Sequence, residues 1–431
     1  MKTLYLIFIL VLASGCSEDA KLSVLYGYGL KPKLPEPTES FIPTIQVASA
    51  VGWPEGKKPT PAPGIKIVRL ADNLDHPRWL YVLPNNDLLV AETDAPPSQE
   101  SGGIKNWLMG IYMQQAGSHK PSANRITLLR DADNDGIAEI KSTFLENLNS
   151  PFGIALINNE LFIANADNIV RYPYEKGVLK ITGQGTKLID LPSGINHHWT
   201  KNIIASEDGK RVYVSVGSNS NIAENGMDKE VGRAAIWEVD IDTGKAKIFA
   251  QGLRNPNGMA WTDQGKTLWA VVNERDEMGH DLVPDYLTSV KKDGFYGWPY
   301  SYFGANVDIR VQPQRPDLVK KAIIADYALG SHTASLGLVI TEKNGLPKQF
   351  QNGAFIGQHG SWNRIPFSGY KVIFVPFNNG SPSGMPIDIL TGFLSDRDEA
   401  YGRPVGVTID KRGTLFVADD VGNTVWGLTS N

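Results

Sequence analysis

Three features predict an all-β fold, a six-bladed β-propeller: one hairpin pattern recurs six times, helical periodicity is missing between the recurrences, and turn residues are abundant. Each recurrence has a short polar or Pro-containing start, an apolar run, a turn with Asn, Asp or Gly, and a second apolar run ending in polar residues. The six are His76–Asp94, Ser150–Asp167, His197–Ser218, Asn255–Glu274, His332–His359 and Arg403–Asp420. A turn divides each pair of short runs, which predicts two antiparallel strands rather than one helix. Hairpins spaced roughly 45–80 residues apart predict propeller blades. The 43 glycines and 27 prolines supply the turns.

The N-terminal segment carries targeting information. Lys2 provides a positive start, and Leu4–Ala13 is an apolar run too short to remain as a membrane span. Ala13-Ser14-Gly15-Cys16 resembles the lipobox of bacterial lipoproteins, with Cys16 the lipidated residue and residues 1–16 the signal. A secretory peptide with an incidental cysteine is the alternative. Ser17 suggests outer-membrane sorting by analogy, so an extracytoplasmic protein, lipid-anchored and facing the periplasm, is expected. Cys16 is the single cysteine, so no internal disulfide supports the fold. Residues 17–64 form a Pro-rich tether broken by Pro32, Pro35, Pro37, Pro43, Pro54, Pro59, Pro61 and Pro63. The apolar Phe41, Ile42, Ile45, Val47 and Trp53 leave open that part of it packs on the domain. The propeller domain runs over 65–431, starting near Ile65-Lys66-Ile67-Val68.

Within a hairpin the first strand starts and the second ends at the same side. Those starts and ends carry His198, Arg254, Asn255, Glu274, Arg275, His332, His359 and Arg403, so a ring of hairpins gathers them at one mouth. His198 precedes Ile203-Ile204-Ala205 and has a residue type suited to general-base work near neutral pH; His197 more simply satisfies a backbone carbonyl. Arg254 offers a fixed cationic fork for an anionic cofactor or a developing oxyanion. Equally, Arg254 and Asn255 could cap a turn shaped by Pro256 and Gly258. Glu274, Asp276, Glu277 and Asp281 crowd one loop and offer hard oxygen ligands of the kind Ca²⁺ takes, a solvated acidic loop being the alternative. Asp131-Ala132-Asp133-Asn134-Asp135-Gly136 resembles the start of a Ca²⁺ loop, but Ser142 stands where the twelfth-position Glu belongs. A plain turn within one blade is the simpler reading of it. Tyr296 and Trp298 are remote candidates for ring stacking, against a packing role between blades.

Composition and motifs exclude several classes. With 42% hydrophobic and 20% charged residues, a net charge of −4 and no basic stripe, no nucleic-acid surface is expected. The sequence has no Gly-x-Gly-x-x-Gly after a strand, P-loop, Gly-x-Ser-x-Gly, His-Glu-x-x-His or cysteine cluster. NAD, ATP hydrolysis, zinc proteolysis and an α/β-hydrolase triad are therefore unsupported.

Longer motifs carry a family resemblance. His197-His198-Trp199-Thr200, Val214-Ser215-Val216-Gly217-Ser218, Gly252-Leu253-Arg254-Asn255-Pro256 and Asn273-Glu274-Arg275-Asp276-Glu277 resemble the L-sorbosone dehydrogenase family. So do Tyr296-Gly297-Trp298-Pro299-Tyr300, the run from Gly357 to Arg364, and Val417-Ala418-Asp419-Asp420. That family is similar to soluble quinoprotein glucose dehydrogenases, six-bladed propellers that hold pyrroloquinoline quinone (PQQ) and Ca²⁺ at the channel mouth. The resemblance implies PQQ and Ca²⁺ as cofactors, His198 as catalytic base and Arg254 beside the quinone. It implies a cofactor-binding set of Arg254, Asn255, Arg275, Thr333, His359, Arg364 and Arg403, with His359 or Arg364 nearest the family's cofactor lysine. Arg275-Asp276-Glu277 occupies the loop where the glucose enzymes bind Ca²⁺ through Gly-Pro carbonyls, so acidic side chains would replace those carbonyls. The implied reaction is oxidation of a sugar, sugar aldehyde or polyol, with electrons passing to an unidentified acceptor and membrane contact through the N-terminal lipid alone. A lactonase-type Ca²⁺-dependent hydrolase and a non-catalytic surface-binding propeller are the competing readings, since the fold hosts unrelated functions.

Overall fold

The computed structural model describes residues 19–38, 45–97, 104–118 and 120–431. Cys16, the signal, Phe41 and Ile42 lie outside the described residues. The chain forms a six-bladed β-propeller. Blade one is Pro77–Val82, Leu88–Glu92, Arg125–Arg130 and Ile140–Leu145; blade two is Ile154–Ile157, Glu160–Ala164, Asn168–Pro173 and Thr186–Asp190. Blade three is Ile203–Ala205, Arg211–Val216, Ala235–Asp240 and Ala246–Gln251, joined in parallel by Gly294–Phe295. Blade four is Asn255–Thr262, Thr267–Asn273, Pro284–Val290 and Tyr327–Ser331; blade five is Ser335–Thr341, Gly353–Gln358, Lys371–Asn378 and Ile387–Thr391. Blade six takes Pro404–Ile409, Leu415–Asp419 and Thr424–Ser430 from the C-terminal end, and its outer strand, Ile65–Ala71, from the start of the domain. This pairing of distant segments, Ile67 opposite Leu428, closes the ring.

The six hairpins of the sequence are the two innermost strands of the six blades. Their runs are almost wholly apolar because each blade is sandwiched between two others: Leu88–Glu92, Gly353–Gln358 and Leu415–Asp419 are buried along their whole length. The turns between them use residues that tolerate positive φ, as at Asn158 (47°) and Asn159 (64°), the pair a type I′ hairpin turn demands. Small residues set how closely inner strands cross. A Cβ on Gly258 would lie 2.6 Å from Leu338 N, and one on Gly406 2.6 Å from Arg78 O. Gly153 and Gly337 meet the backbones of Ile203 and Val405 in the same way, so inner strands of successive blades touch around the channel. An aromatic column, Trp79–Phe152 (4.8 Å between ring centres) and Phe152–Trp199 (6.1 Å), ties blades one to three.

Two features depart from the pattern. A helix, Ile104–Gln115, interrupts blade one between its second and third strands, within a segment the pattern leaves without regular structure. The described part of the expected tether lies on the propeller. Tyr28–Gly29 adds an edge strand to blade four, with Tyr28 Oη donating to Gln358 Oε1 at 2.9 Å. Thr60–Pro61 pairs with Ile387–Thr391, while Trp53 packs on Phe393, Tyr401 and Trp426 and donates to Asp419 Oδ2 at 2.7 Å. Apart from the short 3₁₀ turn Val24–Gly27 the segment is extended, and Tyr28, Ala48 and Trp53 are apolar enough to bind it down as a strap.

Candidate active site

His198 stands in the loop before the first strand of blade three. Its Nδ1 donates to the Ser218 carbonyl at 2.9 Å, and Ser218 Oγ lies 3.0 Å away with its own proton directed to Ser220 O. That arrangement places the proton on Nδ1 and leaves Nε2 as the basic nitrogen. Burial, then the Arg254 charge, then His197 push its pKa well below 6.5, opposed by the Ser218 bond. The imidazole is neutral at neutral pH. Lys201, sealed beneath the same loop, donates to Trp199 O (3.0 Å), Asn196 Oδ1 (3.2 Å) and His198 O (3.4 Å). Burial and the Arg233 charge lower its pKa well below 10.5.

Gly217 brings blades three and four together at this point. A Cβ there would lie 2.5 Å from both His198 Cβ and Asn255 Oδ1. Asn255 is buried, yet its Oδ1 has no hydrogen-bond partner in the protein. Arg254 beside it is 1% exposed and heavily bonded: Nε to Asn221 O, Nη1 to Glu274 O (2.7 Å), Nη2 to Asn221 Oδ1 (2.9 Å) and to Asp276 Oδ2 (3.2 Å). Asp276 Oδ1 in turn accepts from Asn363 Nδ2 (2.9 Å) and contacts His332 Nδ1 (3.3 Å). Its pKa falls despite burial, through His332 first, then Arg254 and Asn363.

A second corner lies where blades five, six and one meet. Asp420 Oδ2 receives His359 Nε2 (2.8 Å) and Arg78 Nη1 (2.9 Å), with His76 Nε2 at 3.5 Å. The two histidines and Arg78 hold Asp420 below the usual carboxylate range, while burial takes His359 down to about 4 against Asp420. We read the pair as neutral imidazole donating to carboxylate. Arg403 Nη2 donates to Tyr370 Oη at 2.8 Å, and its Nε has no partner; neither has Asp420 Oδ1 or Arg78 Nε. The two corners are linked by the Arg78 guanidinium, which lies 5.9 Å from the ring of Trp199, next in sequence to His198. Hydrogen bonds thus link Arg254, Asp276 and Asn363 in one group and His359, Asp420 and Arg78 in the other.

Several expected site residues are committed elsewhere in the protein. A buried charge must be paired, and these are paired by the protein itself. Arg275 is fully buried and spends its nitrogens on Glu274 Oε2, Pro299 O, Asp308 Oδ2 and Ser301 O, a bracket for the 299–308 loop rather than a cofactor ligand. Arg364 holds His280 O, Pro366 O and Leu22 O, fixing the N-terminal strap. Thr333 Oγ1 donates to Asp285 Oδ2, and burial raises that carboxyl to about 6. The four expected Ca²⁺ ligands do not form a cage. Glu274 is taken by Arg275, Asp276 by Arg254 and Asn363, Asp281 by the backbone N–H groups of Lys21 and Leu22, and Glu277 is exposed. Among the described residues, the one group of three or more acids, histidines or cysteines whose ligand atoms converge is Asp131, Asp133, Asp135 and Glu139. Tyr296 and Trp298 are packing residues, with Tyr296 Oη donating to Ser289 O and the Trp298 indole N–H to Asn221 O.

Sequence reasoning missed Arg78, His76, Asp420, Asn221 and Asn363. His76, Arg78 and Asp420 obey the rule that found His198, since they sit at a first-strand start or a second-strand end. Asn221 and Asn363 are loop residues whose role depends on the fold; Asn363 falls in the Gly357–Arg364 run that carries the family resemblance, while no local signal marks Asn221.

The chain is similar to several known proteins. It is 27% identical over 291 residues to an uncharacterized protein of Borreliella burgdorferi, covering 66% of this chain and 76% of that one. It is 24% identical over 329 residues to the pyrroloquinoline quinone-dependent pyranose dehydrogenase of Coprinopsis cinerea, spanning 61% of this chain but 44% of that protein's length. Among solved structures, a Trichoderma reesei carbohydrate-active enzyme of family AA12 superposes with TM-score 0.70 at 18% identity, over 90% of this chain and 99% of the other. The holo PQQ domain of the Coprinopsis cinerea pyranose dehydrogenase superposes with TM-score 0.69 at 19% identity, over 89% and 100%. At these identities the superpositions establish the fold. Residues 319–431 match the TrAA12-like family, and residues 100–362, more than half of the chain, match the domain of unknown function DUF7133. The chain belongs to the DUF7133 family.

Proposed function

We propose that the protein is a PQQ-dependent dehydrogenase that oxidises a sugar, sugar aldehyde or polyol at the channel mouth. One observation carries this reading: a neutral imidazole with Nε2 free, an unpartnered Asn255 Oδ1 and the Arg254 charge converge around Gly217. PQQ is a flat trianion, and the mouth fits such a group in one testable respect. Its cations, Arg78 and Arg403, each keep a buried nitrogen with no partner in the protein. Asn255, Arg78 and Arg403 would hold the cofactor, with Arg254 supplying positive charge behind Asn255. The quinone, when bound, supplies the hydride acceptor.

The chain's own part in the reaction is proton transfer and electrostatics. His198 Nε2 takes the substrate hydroxyl proton, and its lowered pKa keeps it unprotonated for that task. Ser218 fixes the ring by accepting at Nδ1, and Lys201 positions the loop that carries it. Arg254 stabilises negative charge developing nearby, and Asp276 holds Arg254 in place. No Ca²⁺ step is assigned at the mouth, because the acidic side chains there are already paired. The same observation disfavours a lactonase, whose metal would need acids from several blades around the channel.

Cys16 is proposed as the lipidated residue of an extracytoplasmic protein. Ala20 N–H, four residues on, is bonded to Ile365 O beside Arg364, so a lipid on Cys16 would hold the mouth end of the propeller close to the bilayer. Cys16→Ser should move the protein from membrane to soluble fractions; retention at the membrane would remove this part.

The decisive experiment adds PQQ to the cofactor-free protein and follows dye reduction across a panel of sugars, polyols and aldehydes. Wild type should turn over at least one, and His198→Ala should lose roughly 10²–10⁴-fold in kcat with PQQ still bound. Failure to bind PQQ would overturn the proposal.

A further inference from the structure

We propose that the loop Asp131–Glu139 is a Ca²⁺ site that locks the ring-closing seam of the propeller. The loop joins the third and fourth strands of blade one, Arg125–Arg130 and Ile140–Leu145, at the end opposite the mouth. Asp131, Asp133, Asp135 and Glu139 each bring one carboxylate oxygen within 4.8 Å of the others. Four acids alone would signify little. The second observation is Asp131 itself, whose side chain is 5% exposed and whose Oδ1 is buried with no hydrogen-bond partner. A buried carboxylate oxygen without a donor is strongly disfavoured, and an ion is one of the few ways to satisfy it.

The other oxygens are partly committed in a way that shapes the loop. Ala132 N–H donates to Glu139 Oε2 (2.7 Å), Asp135 N–H to Asp133 Oδ1 (3.1 Å), Gly136 N–H to Asp131 Oδ2 (3.2 Å) and Ile137 N–H to Asp135 Oδ1 (2.7 Å). Each bond takes one oxygen and leaves another on the same carboxylate. Arg412 Nη1 reaches Asp131 Oδ2 at 3.3 Å and also bonds Asn134 Oδ1. One guanidinium against four carboxylates leaves an excess of negative charge. Hard, flexible oxygen sites of this kind suit Ca²⁺, which takes six to eight oxygens, better than Mg²⁺, which demands a rigid octahedron. Glu139 at the ninth position supplies the fourth acid. Ser142, at the twelfth, cannot chelate, and its Oγ donates to Leu179 O at 2.9 Å. The remaining positions fall to backbone carbonyl and water.

Location gives the site its role. Arg412 belongs to the turn of blade six's inner hairpin, and Ala138 N–H donates to Leu70 O (2.8 Å) in the strand that closes that blade. Lys141 Nζ reaches Asp72 O at 3.1 Å, just beyond the same strand. The loop therefore rests on both sides of the one joint where the ring is closed by distant parts of the chain. A cation that stiffens the loop stabilises closure, and does so whether or not the mouth is a dehydrogenase site.

The test uses full-length protein free of PQQ and stripped with chelator, with CaCl₂ as the ligand. At about 100 times its dissociation constant, one bound ion should raise Tm by roughly 3–4 °C for a domain this size. The shift should vanish in Asp133→Asn/Asp135→Asn, whose side chains are exposed and free of core contacts, and persist in Asp276→Asn at the mouth. Arg412→Gln removes a competing positive charge and should tighten Ca²⁺ binding measured by calorimetry. The proposal is overturned if wild type binds no Ca²⁺, if MgCl₂ gives the same shift, or if the shift survives the double variant.

Discussion

Gly217→Ala is the sharpest probe of the site because nothing but space stands against it. Its backbone is outside the left-handed region, so alanine brings no conformational penalty there. The new methyl would lie 2.5 Å from His198 Cβ and from Asn255 Oδ1. Reaching an ordinary contact of 3.4 Å requires about 0.9 Å of movement, shared between the proposed base and the proposed cofactor ligand. Misplacement of that order lowers catalysis by about 10²-fold, whereas overpacking a tight spot destabilises by only about 1–3 kcal/mol. The expected signature is thus a large fall in kcat/KM with a modest fall in Tm. Gly183→Ala, which meets nothing within 4 Å, is the control and should change neither. Dye-coupled assays with saturating PQQ give the rate, and fluorescence titration gives PQQ affinity. A Gly217→Ala enzyme within threefold of wild type in both would refute the claim that this glycine sets the distance between His198 and Asn255.

Three further outcomes follow from the same geometry. Because the pKa of His198 lies well below 6.5, kcat/KM should stay flat between pH 6.5 and 8 with respect to this group and fall only as pH drops through the lowered value; a limb centred at or above 6.5 that disappears in His198→Ala would contradict the assigned neutral state. Arg403→Gln removes a guanidinium whose Nε is unpartnered and should weaken PQQ binding about tenfold, the value of one charge-assisted hydrogen bond, read by titration. Trp53→Ala empties a half-buried ring site and takes a donor from Asp419, so unfolding in urea should show a loss of about 3 kcal/mol, with no change in PQQ affinity.

The fold was legible because a propeller writes its inner strands as short apolar runs around a turn. All six runs of that kind became inner hairpins, and the turn residues, such as the Asn158-Asn159 pair, carry the φ signs the turns need. The outer strands were harder to read. Thr186–Asp190 and Ala246–Gln251 are mostly exposed or half-exposed, and Ile65–Ala71 closes a blade whose other strands lie at the opposite end of the chain. The strap was hard to read because proline content reports the absence of helix and says nothing about docking. Tyr28 and Trp53, each anchored by one hydrogen bond to a distant residue, hold it down.

The site was legible in position but only half legible in assignment. Placing polar residues at strand starts and ends put His198, Arg254, Asn255, His359 and Arg403 at one end of the blades, which is where the strands carry them. It could not separate a charge that faces the channel from one that faces its own blade, since both occupy the same place in the pattern. Arg254 and Arg275 show the limit: they flank one hairpin and are buried equally, yet one sits against His198 and the other is bonded to Asp308 and the carbonyls of Pro299 and Ser301. What distinguishes them is the identity of their partners: Arg254 is bonded to Asn221 and Asp276 and its charge acts on His198, whereas Arg275 is bonded to the 299–308 loop. Among the residues considered for the site, Asn255, Arg403, Arg78 and Asp420 each keep a buried atom without a partner, whereas Arg275, Arg364 and Thr333 spend theirs on loops or strap. A buried polar atom left without a partner is tolerated only where something else completes it. At the mouth the open nitrogens of Arg78 and Arg403 suit the anionic cofactor proposed there and the open Oδ1 of Asn255 suits a donor; at the seam, where Asp131 Oδ1 lies among Asp133, Asp135 and Glu139, the proposed occupant is a cation.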